Sequence, residues 1–359
     1  MTALHLRGIV LPDDIERDIW IKNGALTFTP VPGAETIATS GYILPGLVDA
    51  HCHIGIDTGS VPVESLDRAR ELARIDRDAG VLTIRDAGSP VPYPQLEDES
   101  DLPRLIRAGQ HLAPPKRYLR GIATEQGSAE VAAEAARQAQ LGNGWIKLVG
   151  DWIDRDYGDL APTYDNDVFA DVVAAAHRHG ARVAAHTFSE DALPGLLAAG
   201  IDSIEHGTGL SMELIDTAAR LGTALIPTLT NVENFPGYAA QGEKKFPRYA
   251  AHMRRLHQNF PRVVAAAYEA GVPIYVGTDA GGHVRHGLAA EEIQRLHEVG
   301  MSKVDALAAG SWRARTWLGL SGIDEGGLAD LVVYAEDPRV DLRVLTAPQR
   351  IVLRGAVVR

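Results

Sequence analysis

The sequence is poor in cysteine and contains no long apolar run. Cys52 is the single cysteine in 359 residues, which excludes an intrachain disulfide and is compatible with a reducing compartment. Charged residues or prolines interrupt every apolar stretch before it could span a bilayer, and no basic segment followed by an apolar core opens the chain. These absences predict a soluble cytoplasmic protein with no membrane segment.

Basic residues are scarce as well, with 35 Lys and Arg against 47 Asp and Glu, which gives a formal net charge of -12. A nucleic-acid partner would require a basic face, so none is expected. The remaining composition is ordinary for a globular protein, at 45% hydrophobic and 23% charged residues. The sequence therefore predicts a large core and a small-molecule partner, and it leaves a homo-oligomer open.

The most informative stretch is an apolar run over residues 43–48 that leads into His51 and His53. An almost unbroken apolar run predicts a strand buried on both faces. Because side chains alternate along a strand, both imidazoles should face the same way. The pair therefore predicts two metal ligands at the tip of a strand, although two surface histidines at this spacing also arise by chance.

Further candidate ligands stand at the ends of other short apolar runs. They are Lys147, His186, His206 and Asp279. With this set in view, the chain resembles the amidohydrolase superfamily of metal-dependent hydrolases. Within that superfamily it is most similar to the branch of imidazolonepropionases and metal-dependent prolidases. The resemblance covers essentially the whole chain.

Short apolar runs alternate with Ala-rich helical segments between residues 43 and 320. Eight strands separated by helices predict a closed (β/α)8 TIM barrel with its functional residues at the carboxyl ends of the strands. An open doubly wound sheet is the alternative, and residues 118–123 rival the third strand. The predicted strands cover residues 43–48, 81–85, 104–108, 145–149, 182–185, 203–205, 224–227 and 274–277.

Short alternating segments flank this region at residues 1–42 and 321–359. Each group is too short to bury a core alone, so the two chain ends are expected to pair in one small β-sandwich domain, the arrangement that the resemblance implies. The longest connection, residues 228–273, combines aromatic and basic side chains. It fits a lid over the site and an elongated barrel helix with a solvated basic face equally well.

The resemblance implies two divalent metal ions, and nitrogen-rich donors predict zinc. A lysine that binds metal must lose its proton, and by resemblance Lys147 reacts with carbon dioxide to give a carbamate that bridges both ions. The alternative is an ordinary lysine paired with Asp151 or Asp154. By the same resemblance, His51, His53 and Asp279 hold a buried ion, and His186 and His206 hold an exposed ion.

A hydroxide that bridges two cations is a good nucleophile at neutral pH, because the metals lower the pKa of bound water. Asp279 would serve as general acid and base, taking a proton from the nucleophile and delivering it to the leaving amine. This chemistry suits amides, cyclic amides, lactones and phosphoesters. We therefore expect a hydrolase for an amide or cyclic amide bond in a small or dipeptide-like molecule, with a lactonase or phosphotriesterase as the alternative.

Two further functional hypotheses remain open. A noncatalytic scaffold of the same fold usually loses ligands, whereas all six positions are filled here. A mononuclear deaminase would make Lys147 incidental and would need a glutamate acid and base, and the sequence offers no clear candidate.

Substrate specificity is expected to come from loops. Arg285 could bind a substrate carboxylate, and His286 belongs to a His-Gly pair that lines the site in the prolidase-like branch. Arg85, Arg120 and Trp152 lie near predicted strand ends and are equally compatible with structural roles. Residues 228–231 lack a tyrosine of the kind that binds a peptide carboxylate in some prolidase-like relatives, which argues against a dipeptidase.

Overall fold

The computed structural model describes residues 2–91 and 93–359. Its strands are, in chain order, β1 (Leu4–Val10), β2 (Ile15–Lys22), β3 (Ala25–Thr27), β4 (Glu35–Ala38), β5 (Tyr42–Pro45), β6 (Leu47–Cys52), β7 (Ile56–Asp57), β8 (Val61–Pro62), β9 (Val81–Asp86), β10 (Arg104–Arg107), β11 (His111–Ala113), β12 (Ala123–Glu125), β13 (Trp145–Val149), β14 (Asp151–Asp154), β15 (Asp159–Pro162), β16 (Arg182–Thr187), β17 (Ser203–His206), β18 (Ala224–Ile226), β19 (Leu331–Tyr334), β20 (Arg350–Leu353) and β21 (Ala356–Val357).

Helices occupy most of the segments between the parallel strands. They are α1 (Leu66–Asp78), α2 (Val131–Leu141), α3 (Asn166–Arg178), α4 (Leu193–Ala199), α5 (Met212–Leu221), α6 (Leu229–Val232), α7 (Phe235–Gly242), α8 (Pro247–Glu269), α9 (Ala289–Glu298), α10 (Lys303–Ala309) and α11 (Trp312–Trp317), with short 3-10 turns at Pro94–Asp98 and Leu342–Thr346. Within the described residues, no helix is long and apolar enough to cross a bilayer.

Two parallel sheets form the centre of the molecule. One has the order β10-β9-β6, and the other has the order β12-β11-β13-β16-β17-β18. Residues 273–280 lie between the outermost strands of the two sheets. Tyr275 N donates to Leu225 O on the β18 side, and Ala50 N donates to Val276 O on the β6 side. The segment before Asp279 therefore joins the last parallel strand to the first.

The apolar run at residues 43–48 does not form one strand, so that predicted strand is wrong in its bounds. It divides at Gly46, where a Cβ atom would lie 2.5 Å from the Leu82 side chain. Strand β5 pairs with β1 and β19, whereas β6 pairs with β9. Both strands are buried, so an apolar run cannot show where the chain passes from one sheet to the other.

The other predicted strands vary in accuracy. Strand β13 has the predicted bounds, and β10 agrees with the prediction within one residue. Residues 118–122, most of the rival run, form no strand. Residues 274–277 contain only an isolated bridge between Ile274 and Leu225.

Strands from both chain ends pair in one eight-stranded sheet. Its order is β21-β20-β19-β5-β1-β2-β3, with β4 on β1. One face of this sheet buries a compact apolar cluster that includes Leu6, Ile19, Ile43, Leu331 and Val352. Neither end could enclose this cluster without the other.

Candidate metal centre

Three of the predicted ligands converge where β6 ends. The Nε2 atoms of His51 and His53 lie 3.2 Å apart, and they lie 3.2 and 3.0 Å from Asp279 Oδ1. Both histidine side chains are almost fully buried, whereas that of Asp279 is 18% exposed. The carboxylate therefore reaches solvent-accessible space while the imidazoles stay behind it.

A second pair of predicted ligands lies beside the first group. His206 Nε2 is 3.0 Å from His186 Nδ1, and the rings of His206 and His51 have centroids 5.1 Å apart. The strands that carry His186 and His206, β16 and β17, are hydrogen-bonded neighbours. Parallel pairing thus places both side chains at the same end of the sheet.

The spacing of these atoms suits metal coordination. Two nitrogens bound to one tetrahedral zinc at about 2.0–2.1 Å lie about 3.3 Å apart, close to the separations seen here. Three of the other ring nitrogens have partners on the far side of the ring: His51 Nδ1 lies 2.6 Å from Glu205 Oε2, His53 Nδ1 lies 2.8 Å from Gly88 O, and His206 Nδ1 lies 2.7 Å from Thr228 Oγ1. Such partners orient histidine ligands in metal sites.

Lys147 is buried beside this group, on the central strand β13. Its Nζ atom makes no hydrogen bond to any residue that the structure describes. Burial lowers the pKa of its amine to about 8, so a neutral amine is accessible near neutral pH. Asp151 accepts hydrogen bonds from Ser189, and Asp154 pairs with Arg117, so neither aspartate is the partner that the alternative reading requires.

Burial and charge set the ionisation that metal ligands need. Burial lowers the pKa of His186 and His206 well below the ordinary value, which keeps both imidazoles neutral. Burial by itself would raise the pKa of Asp279. The charge of His51 and hydrogen bonds from His51 and His53 outweigh that effect and hold its pKa well below the ordinary value.

The backbone is strained where three strand segments end at this site. His206, Thr228 and Asp279 have φ angles of 66°, 47° and 59°, in the left-handed region that residues with a Cβ rarely adopt. Thr228 is β-branched, for which this conformation is especially unfavourable. Strain of this kind costs about 1–3 kcal/mol per residue and clusters at functional sites, where the surrounding structure enforces it.

A cavity of about 360 Å³ opens above the candidate ligands. This volume lies in the range of small-molecule pockets. Much of its wall is aromatic or aliphatic, and helices α7 and α8 contribute through Tyr238, Gln241 and Tyr249. The 228–273 connection therefore forms part of the cavity wall, while α8 also buries an apolar face against the core.

The predicted substrate residues are not brought together. Trp152 lines the cavity. Arg285 does not, because its side chain is 74% exposed and lies 3.7 Å from Glu291. Arg120 is exposed and also lies outside the lining.

Arg85 is fully buried beneath the candidate ligands. It donates to Glu205 and to Ala50 O, and its guanidinium stacks over the Trp145 ring. His286 is buried behind β6, with its Nδ1 atom 2.7 Å from Asp76 Oδ2. Neither residue therefore lines the cavity, contrary to the prediction that they bind substrate.

Sequence reasoning missed two buried residues beside the centre, His111 and Glu205. His111 pairs in register with Lys147, its ring centroid lies 5.2 Å from that of His53, and neither of its ring nitrogens bonds to a described residue. It lies beyond the predicted third strand because residues 108–110 interrupt that strand between β10 and β11. Glu205 immediately precedes His206, a position that could have indicated its role.

Comparison with known proteins identifies the family of this chain. Residues 42–358 match the model of the Amidohydrolase family. An uncharacterised protein of Mycobacterium tuberculosis is 52% identical over 354 residues, which cover 98% of this chain and 95% of that protein. Ochratoxinase of Aspergillus niger is 26% identical over 233 residues, covering 63% of this chain and 48% of the relative.

The fold is also shared with solved structures. A Xaa-Pro dipeptidase superposes with a TM-score of 0.85 at 23% identity over the whole of both chains. This likeness shows a TIM-barrel-type α/β fold. The family generally uses divalent metal ions, and the donors gathered here suit them. Because the family match spans nearly the whole chain, the protein belongs to the amidohydrolase family and is an enzyme.

Proposed function

We propose that the protein is a binuclear metal-dependent hydrolase that cleaves an amide or cyclic amide bond in a small or dipeptide-like molecule. The observation that carries this proposal is the convergence of five predicted ligands on one cavity, with the buried amine of Lys147 near enough to interact electrostatically with two of them. Its relatives support the bond type, since a Xaa-Pro dipeptidase is named for cleavage of a peptide bond. In the overall reaction, water adds to the carbonyl carbon, the C–N bond breaks, and a carboxylic acid and an amine are released.

Two zinc ions are the expected cofactors, since imidazole and carboxylate donors suit zinc. When bound, such ions polarise a carbonyl and lower the pKa of water. We assign one ion to His51, His53 and Asp279, and the other to His186 and His206.

Asp279 is the proposed general acid and base. Its depressed pKa keeps it ionised at neutral pH, and its partial exposure lets Oδ1 or Oδ2 accept a proton from the attacking water. The same carboxyl group then returns that proton to the leaving nitrogen. Glu205 holds His51 in place from the other side, so His51 cannot turn away from Asp279.

Lys147 is the proposed bridge between the two ion sites. Its buried amine lacks a hydrogen-bond partner among the described residues, and its lowered pKa makes the neutral form accessible. A neutral amine can react with carbon dioxide, which forms an N–C bond and releases one proton to solvent, and the resulting carbamate would share one negative charge between two oxygens. This modification would supply negative charge that the neutral imidazoles cannot.

We also infer the finer architecture from the hydrogen bonding around the parallel sheets. Residues 273–280 would serve as the eighth strand of a closed (β/α)8 barrel over residues 43–320. The sheet built from residues 1–42 and 321–359 would be the small β-sandwich domain. The transfer of β5 to that sheet moves the junction between the two units to Gly46.

The test combines metal analysis with a substrate panel. Metal-replete protein should contain two zinc ions per chain and should hydrolyse members of a panel of anilides, dipeptides and cyclic amides faster than matched lactones and phosphotriesters. Asp279→Asn serves as the inactive control. One ion or fewer per chain would contradict the binuclear centre, and faster turnover of lactones or phosphotriesters would contradict the proposed bond type.

A further inference from the structure

We propose that the substrate is an uncharged aromatic amide and that the cavity disfavours a free carboxylate on the part of the substrate remote from the reacting bond. This inference rests on the proposed function and names its substrate class. It depends on the chemistry of the cavity wall away from the candidate ligands.

That wall is rich in aromatic rings. Tyr118, Trp152, Phe188, Tyr238 and Tyr249 all line the cavity, although aromatic residues make up only 6% of the sequence. Two of these rings, Tyr118 and Trp152, meet edge to face with centroids 4.8 Å apart. A flat aromatic group would gain both apolar burial and edge or stacked contacts against such a wall.

Apart from His283, the polar side chains on the wall away from the candidate ligands are neutral amides and hydroxyls. Asn231 and Gln241 contribute amides, and Tyr238 donates its hydroxyl to Asn231 Oδ1 at 2.9 Å. Over residues 2–91 and 93–359, no lysine or arginine lines the cavity, and His283 is the single imidazole there outside the candidate ligands. These groups can bond an amide, urea or ester but offer no fixed cation.

Two arginines close to residues of the wall bond to groups outside the cavity. Arg117 donates to Asp154 and to the carbonyl oxygens of Trp152 and Ala161. Arg248 stacks over the Tyr157 ring, outside the cavity. Among the described residues that line this wall, none is an arginine that could pair with a substrate carboxylate.

The energetic consequence follows from burial. An anion moved from water into an apolar cavity loses hydration, and this loss goes uncompensated unless a cation or several donors replace the water. The chain also carries a net charge of -12, which disfavours the approach of anions. A carboxylate at the reacting end could still meet the metal ions, so the discrimination concerns the far end of the substrate.

The experiment compares acetanilides that differ only in the para substituent, which is either a carboxamide or a carboxylate. We expect kcat/KM to be at least about tenfold higher for the carboxamide, mainly through KM, because the reacting bond is the same in both molecules. Equal values, or a preference for the carboxylate, would overturn the inference.

A binding measurement separates this inference from the proposed function. Calorimetry with ketomethylene isosteres of the same two compounds, which cannot be hydrolysed, reports the charge preference without turnover. Tighter binding of the carboxamide isostere without cleavage of either anilide would retain the charge preference and reject hydrolysis of these amides. Equal binding of the two isosteres, or binding of neither, would reject the proposed substrate class.

A charge placed on the wall provides the matched test. Gln241→Lys adds a cation at the cavity and should reduce the discrimination against the carboxylate at least about threefold. Ala240→Lys adds the same charge to the adjacent, exposed position of α7, which does not line the cavity. It should leave the ratio of kcat/KM for the carboxamide to that for the carboxylate unchanged. An unchanged ratio in Gln241→Lys, or an equal change in both variants, would contradict the proposed role of the wall.

Discussion

The two faces of strand β6 carry similar side chains, and the face with His51 and His53 lines the cavity described above. His51 and His53 point towards Asp279 on one side. Cys52 points the other way, where its Sγ atom lies 3.7 Å from Asp76 Oδ2 and 3.9 Å from His286 Nδ1. Each face therefore gathers three residues of types that bind metal, with ligand atoms within 4.8 Å of one another.

The difference lies in what the ligand atoms already bond. On the back face, which is formed by Cys52, Asp76 and His286, the Asp76 carboxylate pairs with His286 and also accepts a hydrogen bond from Gly287 N at 2.7 Å. Burial raises the pKa of the Cys52 thiol well above its ordinary value, which opposes the thiolate that a metal would need. On the front face, the ligand atoms of His51, His53 and Asp279 instead line a cavity and contact mainly each other. Ligand-type residues therefore mark a metal centre only where their donor atoms remain accessible.

The largest expected effect is that of Asp279→Asn, which removes the proposed general acid and base from the front face. Asn keeps the size and one oxygen but cannot take a proton at neutral pH. Turnover on an amide should fall by about 10²- to 10⁴-fold, the usual loss when general acid and base help is removed. Steady-state kinetics with parallel metal analysis checks this, and near-normal turnover with both ions bound would refute the proposed role.

Lys147→Ala should lower the metal content and abolish most of the activity. Removing the amine removes the proposed bridge, so we expect the exposed ion to be lost first. Lys147→Met is the matched variant, because it retains most of the apolar volume but no amine. Elemental analysis should show about one ion in both variants. Two ions in either variant would show that the centre does not depend on this amine.

The front face was largely predictable from sequence because a strand tip defines direction as well as position. His51, His53, His186 and His206 each follow an apolar run, and parallel pairing brings the carboxyl ends of such runs together. His111 could not be found in this way. Its strand is interrupted between β10 and β11, so no apolar run leads directly into it.

The back face and the substrate residues were harder because turns redirect the chain. Gly281 and Gly282, between Asp279 and His286, have φ angles of 111° and 70°, a local reversal that residue spacing does not reveal. The reversal places His286 behind β6 and leaves Arg285 in solvent. The sequence therefore predicted Arg285 on the site wall, whereas the structure places its side chain in solvent.

Asp76→Ala tests whether the back face is structural. It would leave His286 and Gly287 N without their partner, and loss of one member of a buried ion pair typically costs about 3–5 kcal/mol. The free energy of unfolding, measured in urea, should fall accordingly while metal content stays at two ions. Asp78→Ala on the same helix is the control, since Asp78 is 56% exposed and should contribute at most about 1 kcal/mol.

The decrease in the free energy of unfolding caused by Asp76→Ala should also depend on pH. Burial by itself would lower the pKa of His286, but the charge and hydrogen bond of Asp76 raise it above the ordinary value of 6.5. Because the pKa of His286 is raised in the folded protein, its ion pair stabilises the fold fully at pH values below the ordinary pKa. This stabilisation is lost as the pH rises through the pKa of the folded state. The destabilisation should therefore be larger at pH 6 than at pH 9. A pH-independent cost, or a loss of metal in Asp76→Ala, would contradict a purely structural ion pair.

The smallest expected effect is that of Arg285→Ala, on the loop that links the two faces. A carboxylate-binding arginine would make this variant raise KM for the para-carboxylate anilide alone. The structure instead places the guanidinium in solvent, near Glu291, where an exposed pair contributes little. We therefore expect KM to stay within about twofold of the unmodified enzyme for both anilides. A selective rise for the carboxylate would mean that the loop folds over the cavity when substrate binds, and that the wall is less neutral than proposed.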